Sequence, residues 1–324
     1  MKLFETKRTQ NKREIYICGI RVLTRERGKA AAARKHKESL AAQEDLLQRA
    51  IPYLATENSG ISLPVAKKEL PDNTVWQLWL QGENNAPDLV RMCLNSVKQH
   101  TQGRPYVLLT KENIQEYLDI PDFIIQKYEA GNFGHAHFSD LVRLMLLCLY
   151  GGTWVDATVL LTSPIPDKIE QAPFFVFKSP DFCLYPNLPH SVSSLRELLP
   201  LGNPYHCSSS WFIHAARQNP LISKTLVALL AYWKKEDKLL NYFLMHLIIT
   251  AAVITDAECR HIFETMPSIA NHCPHILQNL LGNDYNQLIF DEICTISFAH
   301  KLTHRHDTAS FPSTSFYSKL LSAN

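Results

Sequence analysis

From Thr74 onward, short β-branched and aromatic runs alternate with apolar stripes at helical spacing. Val75–Leu80 reads as a strand, and Pro87–Gln99 as an amphipathic helix with proline near its first turn. Tyr106–Thr110 reads as a second strand, followed by helical Lys111–Leu118 and Asp122–Glu129. Ser139–Tyr150 is a strongly apolar helix stopped by Gly151 and Gly152, and strand-like Trp154–Leu161 and Phe174–Lys178 come next. This βαβ rhythm predicts an α/β fold with an open, mostly parallel sheet, whose ligands bind at the carboxyl ends of the strands. The second half reads as helix-rich, with Leu221–Trp233, Leu239–Thr255 and Ala257–Thr265, then short strand-like pieces around Ile293–Leu302.

The chain ahead of Thr74 has a different character. Ile15–Leu23 is a single apolar run suited to a strand, and Lys29–Ala55 reads as a helix with Leu40, Leu46, Leu47, Ile51 and Leu54 on an approximate stripe. Residues 57–73 collect Gly, Ser, Asn and two prolines and read as a connector. The expected organisation is an extension at 1–56, a connector at 57–73 and a main domain at 74–324, with halves 74–178 and 179–324. Charge sharpens the division: residues 1–37 hold 12 Lys/Arg against 3 Asp/Glu, a balance of +9 in a chain whose net charge is only +2. A basic arm on a mildly acidic body suits a polyanionic partner, either anionic lipid or nucleic acid, and equally suits a solvated tail.

Composition narrows the classes. At 46% hydrophobic and 20% charged, the chain can build a sizeable core and is not disordered, and 11 glycines exclude glycine-repeat architectures. No stretch reaches roughly eighteen uninterrupted apolar residues, and no signal peptide is expected. The eight cysteines lack CxxC spacing and read as reduced thiols of a cytosolic protein.

The usual phosphate cradles, GxGxxG and GxxxxGK[ST], are absent, as are GxSxG and HExxH. Three segments carry candidate chemistry. In Val75–Gly82 (VWQLWLQG) a strand ends in a tryptophan, which can stack on a planar base or pack in the core. In Phe138–Thr158 (FSDLVRLMLLCLYGGTWVDAT), Asp140 and Arg143 share one helix face, and a strand after the Gly-Gly turn delivers Asp156 at its exit. A carboxylate there suits a divalent metal or a ribose, or simply a turn. In Ser297–Arg305 (SFAHKLTHR), His300 and Lys301 could pair an imidazole ligand with a phosphate-binding ammonium. Zinc held by His300, His304 and His306 has no CxxC partners, and a solvated histidine cluster suits these residues better. No pair of carboxylates stands out as in glycosidases, and no nucleic-acid-binding motif is present.

Taken in order, WQLWLQGENNAPDLVRMCLNSVKQH, HFSDLVRLMLLCLYGGTWVDAT and SFAHKLTHR resemble the capsular-polysaccharide-synthesis members of glycosyltransferase family 32, over roughly residues 73–305. The resemblance implies a GT-A fold, a Rossmann-like open mixed sheet with a helix-rich acceptor-side half. It implies a nucleotide-diphospho-sugar donor, commonly UDP-linked, a Mn²⁺ or Mg²⁺ ion, and retention of anomeric configuration. On that basis Trp79 and Gln81 meet the nucleotide, Asp140 and Arg143 match the element that hydrogen-bonds the donor sugar, and Asp156 matches the first carboxylate of a DxD motif. Thr158 stands where the second carboxylate, a direct metal ligand, is usual. His300 and Lys301 resemble metal and diphosphate contacts, and Asn241 is the candidate for steadying the oxocarbenium-like centre. The implied acceptor is a capsular or lipopolysaccharide glycan, lipid-linked at the inner membrane leaflet where the basic arm would dock, with no nucleic-acid partner. The alternative of another class is a non-catalytic nucleotide-sugar-binding or scaffold protein in which Thr158 has abolished turnover.

Overall fold

The computed structural model describes residues 4–8, 12–17, 20–26, 29–55, 60–61, 63–178, 207–305 and 308–323. It comprises two compact units, Met1–Arg49 and Ala50–Asn324. The first holds three strands, β1 (Phe4–Arg8), β2 (Lys12–Ile17) and β3 (Ile20–Glu26), paired antiparallel in that order, and most of helix α1 (Lys29–Ala50). The single strand expected at Ile15–Leu23 is therefore divided between β2 and β3, with Ile17 opposite Ile20. Two residues between paired strands, one of them a glycine, is hairpin spacing.

The second unit contains β4 (Val75–Leu78), α2 (Asp88–Gln99), β5 (Tyr106–Leu109), α3 (Asp122–Glu129), α4 (His135–Tyr150), β6 (Gly152–Val155) and β7 (Val159–Leu161). There follow α5 (Asp167–Glu170), β8 (Phe174–Lys178), β9 (Ser208–Ala215), α6 (Pro220–Lys235), α7 (Leu244–Thr255), α8 (Ala257–Thr265), α9 (Gln287–Ile296), β10 (Ala299–Lys301) and α10 (Phe316–Ala323). Five strands form one sheet in the order β5-β4-β6-β9-β8. β4 is parallel to both β5 and β6, while β9 runs antiparallel to β6 and β8, so one reversed strand makes the sheet mixed. This α/β architecture, an open mixed sheet followed by a helix-rich half, is the one the GT-A resemblance implies.

Several expectations change in detail. Lys111–Leu118 contributes only a 3₁₀ turn at Ile114–Glu116, and Ile293 lies in helix α9, leaving Ala299–Lys301 as the strand. Residues Leu239–Phe243 precede α7 instead of belonging to it, because Asn241 closes a turn there: its side-chain oxygen accepts from Phe243 N at 2.8 Å. Strand β9 (SSSWFIHA) was not expected; its polar first half masks a strand buried on both faces.

The core follows from the patterning. Helix α4 is apolar on all sides beyond its first turns and is buried accordingly, packed on β6, β9 and α6. Val155, Phe175, Phe177, Phe212 and Phe298 fill the space around the sheet. The Gly-Gly stop is a steric requirement. Gly152 has φ +95°, and a Cβ there would lie 2.1 Å from the Thr74 carbonyl oxygen. Gly151 has φ +72°, and its carbonyl accepts the buried Trp76 indole N–H at 2.9 Å. The chain thus leaves α4 and enters β6 directly against β4, which fixes where β6 ends. No helix among the described residues is long and apolar enough to cross a membrane. The six described cysteines are free thiols.

Candidate active site

Because β4 and β6 are parallel and in register from Val75↔Thr153, their carboxyl ends open on the same sheet edge. Trp79 follows β4 there and Asp156 follows β6. Ala157 packs with Ala86, Val90 and Leu94 against the half-buried Trp79. The Trp79 indole N–H is buried, yet no acceptor among the described residues takes it. Its ring meets His304 edge-on at 5.5 Å. Gln81 is exposed, and its carbonyl oxygen accepts from Asn85.

Asp156 is the centre of a charge network. Its Oδ1 accepts the Trp154 indole N–H at 2.8 Å and faces Arg143 Nη2 at 3.5 Å, while its Oδ2 accepts from Lys301 Nζ at 2.8 Å. Lys301 Nζ also donates to Thr158 Oγ1 at 2.7 Å. Arg143, only 5% exposed, reaches Asp140 at 3.2 Å, Ser139 Oγ at 2.9 Å and the Ser210 carbonyl oxygen at 2.7 Å. Five of the residues named from sequence, Asp140, Arg143, Asp156, Thr158 and Lys301, thus join one connected set. Helix α4 brings the first two, the β6–β7 turn the next two, and β10 the last. β10 pairs with β7, placing Lys301 opposite Val159.

The two carboxyls are pushed in opposite directions. Burial raises Asp140 to about 6, opposed by Arg143 and assisted by the neighbouring Asp156 charge. Burial also works against ionised Asp156. Lys301, then Arg143, and hydrogen bonds from Lys301 and Trp154 outweigh it and hold Asp156 below the usual carboxylate range. Both effects need the low-dielectric setting that the apolar flanks of α4 and β6 create.

Two named residues lie apart from this set. His300 is fully buried, with Nε2 3.2 Å from Thr162 Oγ1, and burial lowers its pKa to about 4. Strand alternation puts its side chain on the face opposite Lys301. The Asn241 side-chain oxygen, the atom that would face an oxocarbenium centre, accepts from the Phe243 N–H. Its turn nonetheless abuts α4, since the Tyr242 carbonyl lies 3.2 Å from His137 Nε2. His306 is outside the described residues.

Three supports of the site went unseen in the sequence. Trp154 orients Asp156. Gln77, fully buried, donates to the Asp156 carbonyl oxygen at 3.3 Å and accepts from Tyr106 Oη at 2.9 Å. Ser210 in β9 anchors Arg143. The legible signal for Gln77 was a polar residue inside an otherwise apolar strand, which is tolerated only with partners.

The donor set does not fit the implied divalent ion. Mg²⁺ keeps several waters and is commonly held through one or two carboxylates together with substrate phosphates, so the free carboxylates at the turn decide the fit. Among the described residues no group of three or more His, Cys, Asp or Glu is arranged to hold a metal. Asp156 and Thr158 already face the Lys301 ammonium, and Arg143 offsets Asp140.

The chain is thus an α/β protein with an open mixed sheet that carries a buried charged cluster and a half-buried tryptophan at one strand edge. The sequence matches the family described as Capsular polysaccharide synthesis protein over residues 29–320, and the chain belongs to that family. The match begins within α1, well ahead of the resemblance read from the motifs. The chain is also 28% identical over 175 residues to O-glycosyltransferase braB of Annulohypoxylon truncatum, covering 50% of this chain and 38% of that protein. Among solved structures it is similar to the PaToxG glycosyltransferase, with a TM-score of 0.34 and 13% identity, covering 70% of this chain and 83% of that one.

Proposed function

We propose that this protein is a glycosyltransferase that moves a sugar from a nucleotide-diphospho-sugar, UDP-linked, to a capsular polysaccharide or lipopolysaccharide acceptor with retention of configuration, in the manner of glycosyltransferase family 32. The observation that carries the reading is the Asp140–Arg143–Asp156–Lys301 network at the strand edge of a capsular-polysaccharide-synthesis family member.

In this reading the half-buried Trp79 ring supports the base. Asp140 accepts hydrogen bonds from sugar hydroxyls while Arg143 fixes its orientation. As the bond from the anomeric carbon to the diphosphate oxygen breaks, that oxygen takes the electron pair, and Lys301 stabilises the charge where it develops. The acceptor hydroxyl oxygen bonds the anomeric carbon from the same face and passes its proton to the departing phosphate oxygen. Asp156 holds the ammonium in place through the turn that Trp154 and Gln77 brace. The +9 arm at residues 1–37 attracts the enzyme to the anionic inner leaflet, where each basic side chain near the surface contributes about 1 kcal/mol.

The test is transfer from a panel of UDP-sugars to delipidated capsule or lipopolysaccharide fragments. Asp156→Asn should lower turnover about 100-fold or more, as loss of a group supporting transition-state charge does. Nucleotide binding without turnover for any donor would favour the scaffold alternative.

A further inference from the structure

Resting on the nucleotide-sugar reading above, we infer that the Lys301 ammonium occupies the place a divalent metal would take, so that the donor diphosphate is held and discharged without a metal ion. Three observations converge on this. The first is position: Lys301 Nζ lies 2.8 Å from Asp156 Oδ2 and 2.7 Å from Thr158 Oγ1, the two side chains that stand at the DxD positions. A second carboxylate in place of Thr158 would give a divalent cation a bidentate anionic seat; a neutral hydroxyl and one carboxylate suit a single positive charge instead.

The charge balance agrees. Asp140 and Asp156 are matched by Arg143 and Lys301 within contact distance, so an entering divalent ion meets two fixed cations and no surplus negative charge. A diphosphate, by contrast, needs hydrogen-bond donors, and charged ones serve it best. An ammonium has three donors, and Lys301 directs two at Asp156 and Thr158, leaving a third for a phosphate oxygen. The Lys301 side chain keeps 22% of its surface open, and exposed Arg305 lies four residues along.

Backbone pairing supplies the third observation. β10 pairs with β7 over Ala299–Lys301, and Leu302 N donates to the Thr158 carbonyl oxygen at 2.9 Å. Those bonds hold Lys301 over the β6–β7 turn without help from any ion, as a preorganised cation must be held.

The experiment is titration calorimetry of the full chain with UDP, GDP and CDP, in EDTA and again with Mn²⁺ in excess, with donor hydrolysis followed in parallel. The expected result is nucleoside-diphosphate affinity that differs less than twofold between the two conditions. Lys301→Met should weaken diphosphate binding about 10- to 100-fold, the range for one charge-assisted hydrogen bond, and should leave affinity for the nucleoside alone unchanged. Lys301→Arg, which keeps the charge, should recover most of the binding, and this guards against misreading a variant that merely folds poorly. Binding that disappears in EDTA and returns with Mn²⁺ would overturn the inference while leaving the donor reading intact. Failure to bind any of the three nucleotides under either condition would overturn both.

Discussion

Two segments meet at Asp156, and they reach it by different routes. The first, His135–Asp156, is contiguous: α4 supplies Asp140 and Arg143, Gly151 and Gly152 turn the chain, and β6 delivers the carboxylate. The second, Ala299–Lys301, brings its lysine from 145 residues further along and is placed by pairing with β7. The contiguous segment is held by sterics and a dense apolar core. The distant one is held by a short strand and by the hydrogen bonds of a lysine. The first segment therefore sets the geometry and supplies Asp140, Arg143 and Asp156, and the second adds the ammonium that faces Asp156. Changes to the turn should thus cost folding, and changes to the charged side chains should cost function.

The largest effect should come from the turn. Gly152→Ala puts a Cβ 2.1 Å from the Thr74 carbonyl oxygen at a positive φ, and overpacking with backbone strain should cost roughly 3 kcal/mol or more. Thermal unfolding of the purified variant checks this; a soluble Gly152→Ala protein melting with wild type would show that the turn is not the rigid element of the comparison.

Asp156→Asn comes next and touches both segments. It leaves Arg143 and Lys301 facing a neutral amide, and removing one partner from a charged, hydrogen-bonded set costs on the order of 1–3 kcal/mol. Stability and transfer rate should therefore both fall, the rate by much more. Turnover per folded molecule that matches wild type would place the reacting centre elsewhere.

Titration sharpens the comparison within the site itself. Asp140 has a folded value raised to about 6 against an ordinary value of 3.8, so its contribution to stability is present below the ordinary value and is lost as pH rises through about 6. Asp156 has a lowered folded value, so its contribution is present above the ordinary value and is lost as pH falls through the folded one. Asp140→Asn should flatten the loss of stability between about pH 4 and 6, and it should also remove an acid limb near pH 6 in the transfer rate. Melting curves and rates across that range decide it; an unchanged limb in the variant would assign the limb to another group.

The smallest effect on chemistry should come from outside both segments. Deleting residues 1–37 should leave transfer to a soluble acceptor within about twofold while reducing co-sedimentation with anionic vesicles. Salt should mimic the deletion, because the Debye length falls from about 10 Å at 0.1 M to about 3 Å at 1 M. Full-length protein that ignores anionic vesicles at low salt would reduce the arm to a solvated tail.

By itself the amino-acid string determined the alternating α/β order, the buried helix at Ser139–Tyr150, the glycine stop and the candidate residues at its two ends. These are local properties: periodicity, glycine's access to positive φ, and i, i+3 spacing act over a few residues and are visible in the string. Strand β9 escaped because Ser208–Ser210 lack the apolar alternation that marks a strand; their place is set by pairing with β6 and β8. The start of the helix at Leu244 is hidden for the opposite reason, since an apolar run from Leu239 masks the turn that the Asn241 side chain closes. Only the tertiary structure separated His300 from Lys301. The two are adjacent in the chain, but strand alternation and the β7–β10 register bury one against Thr162 and aim the other at Asp156 and Thr158. Register and facing are settled by partners distant in sequence, which is why the residues were legible in the string and their chemistry was not.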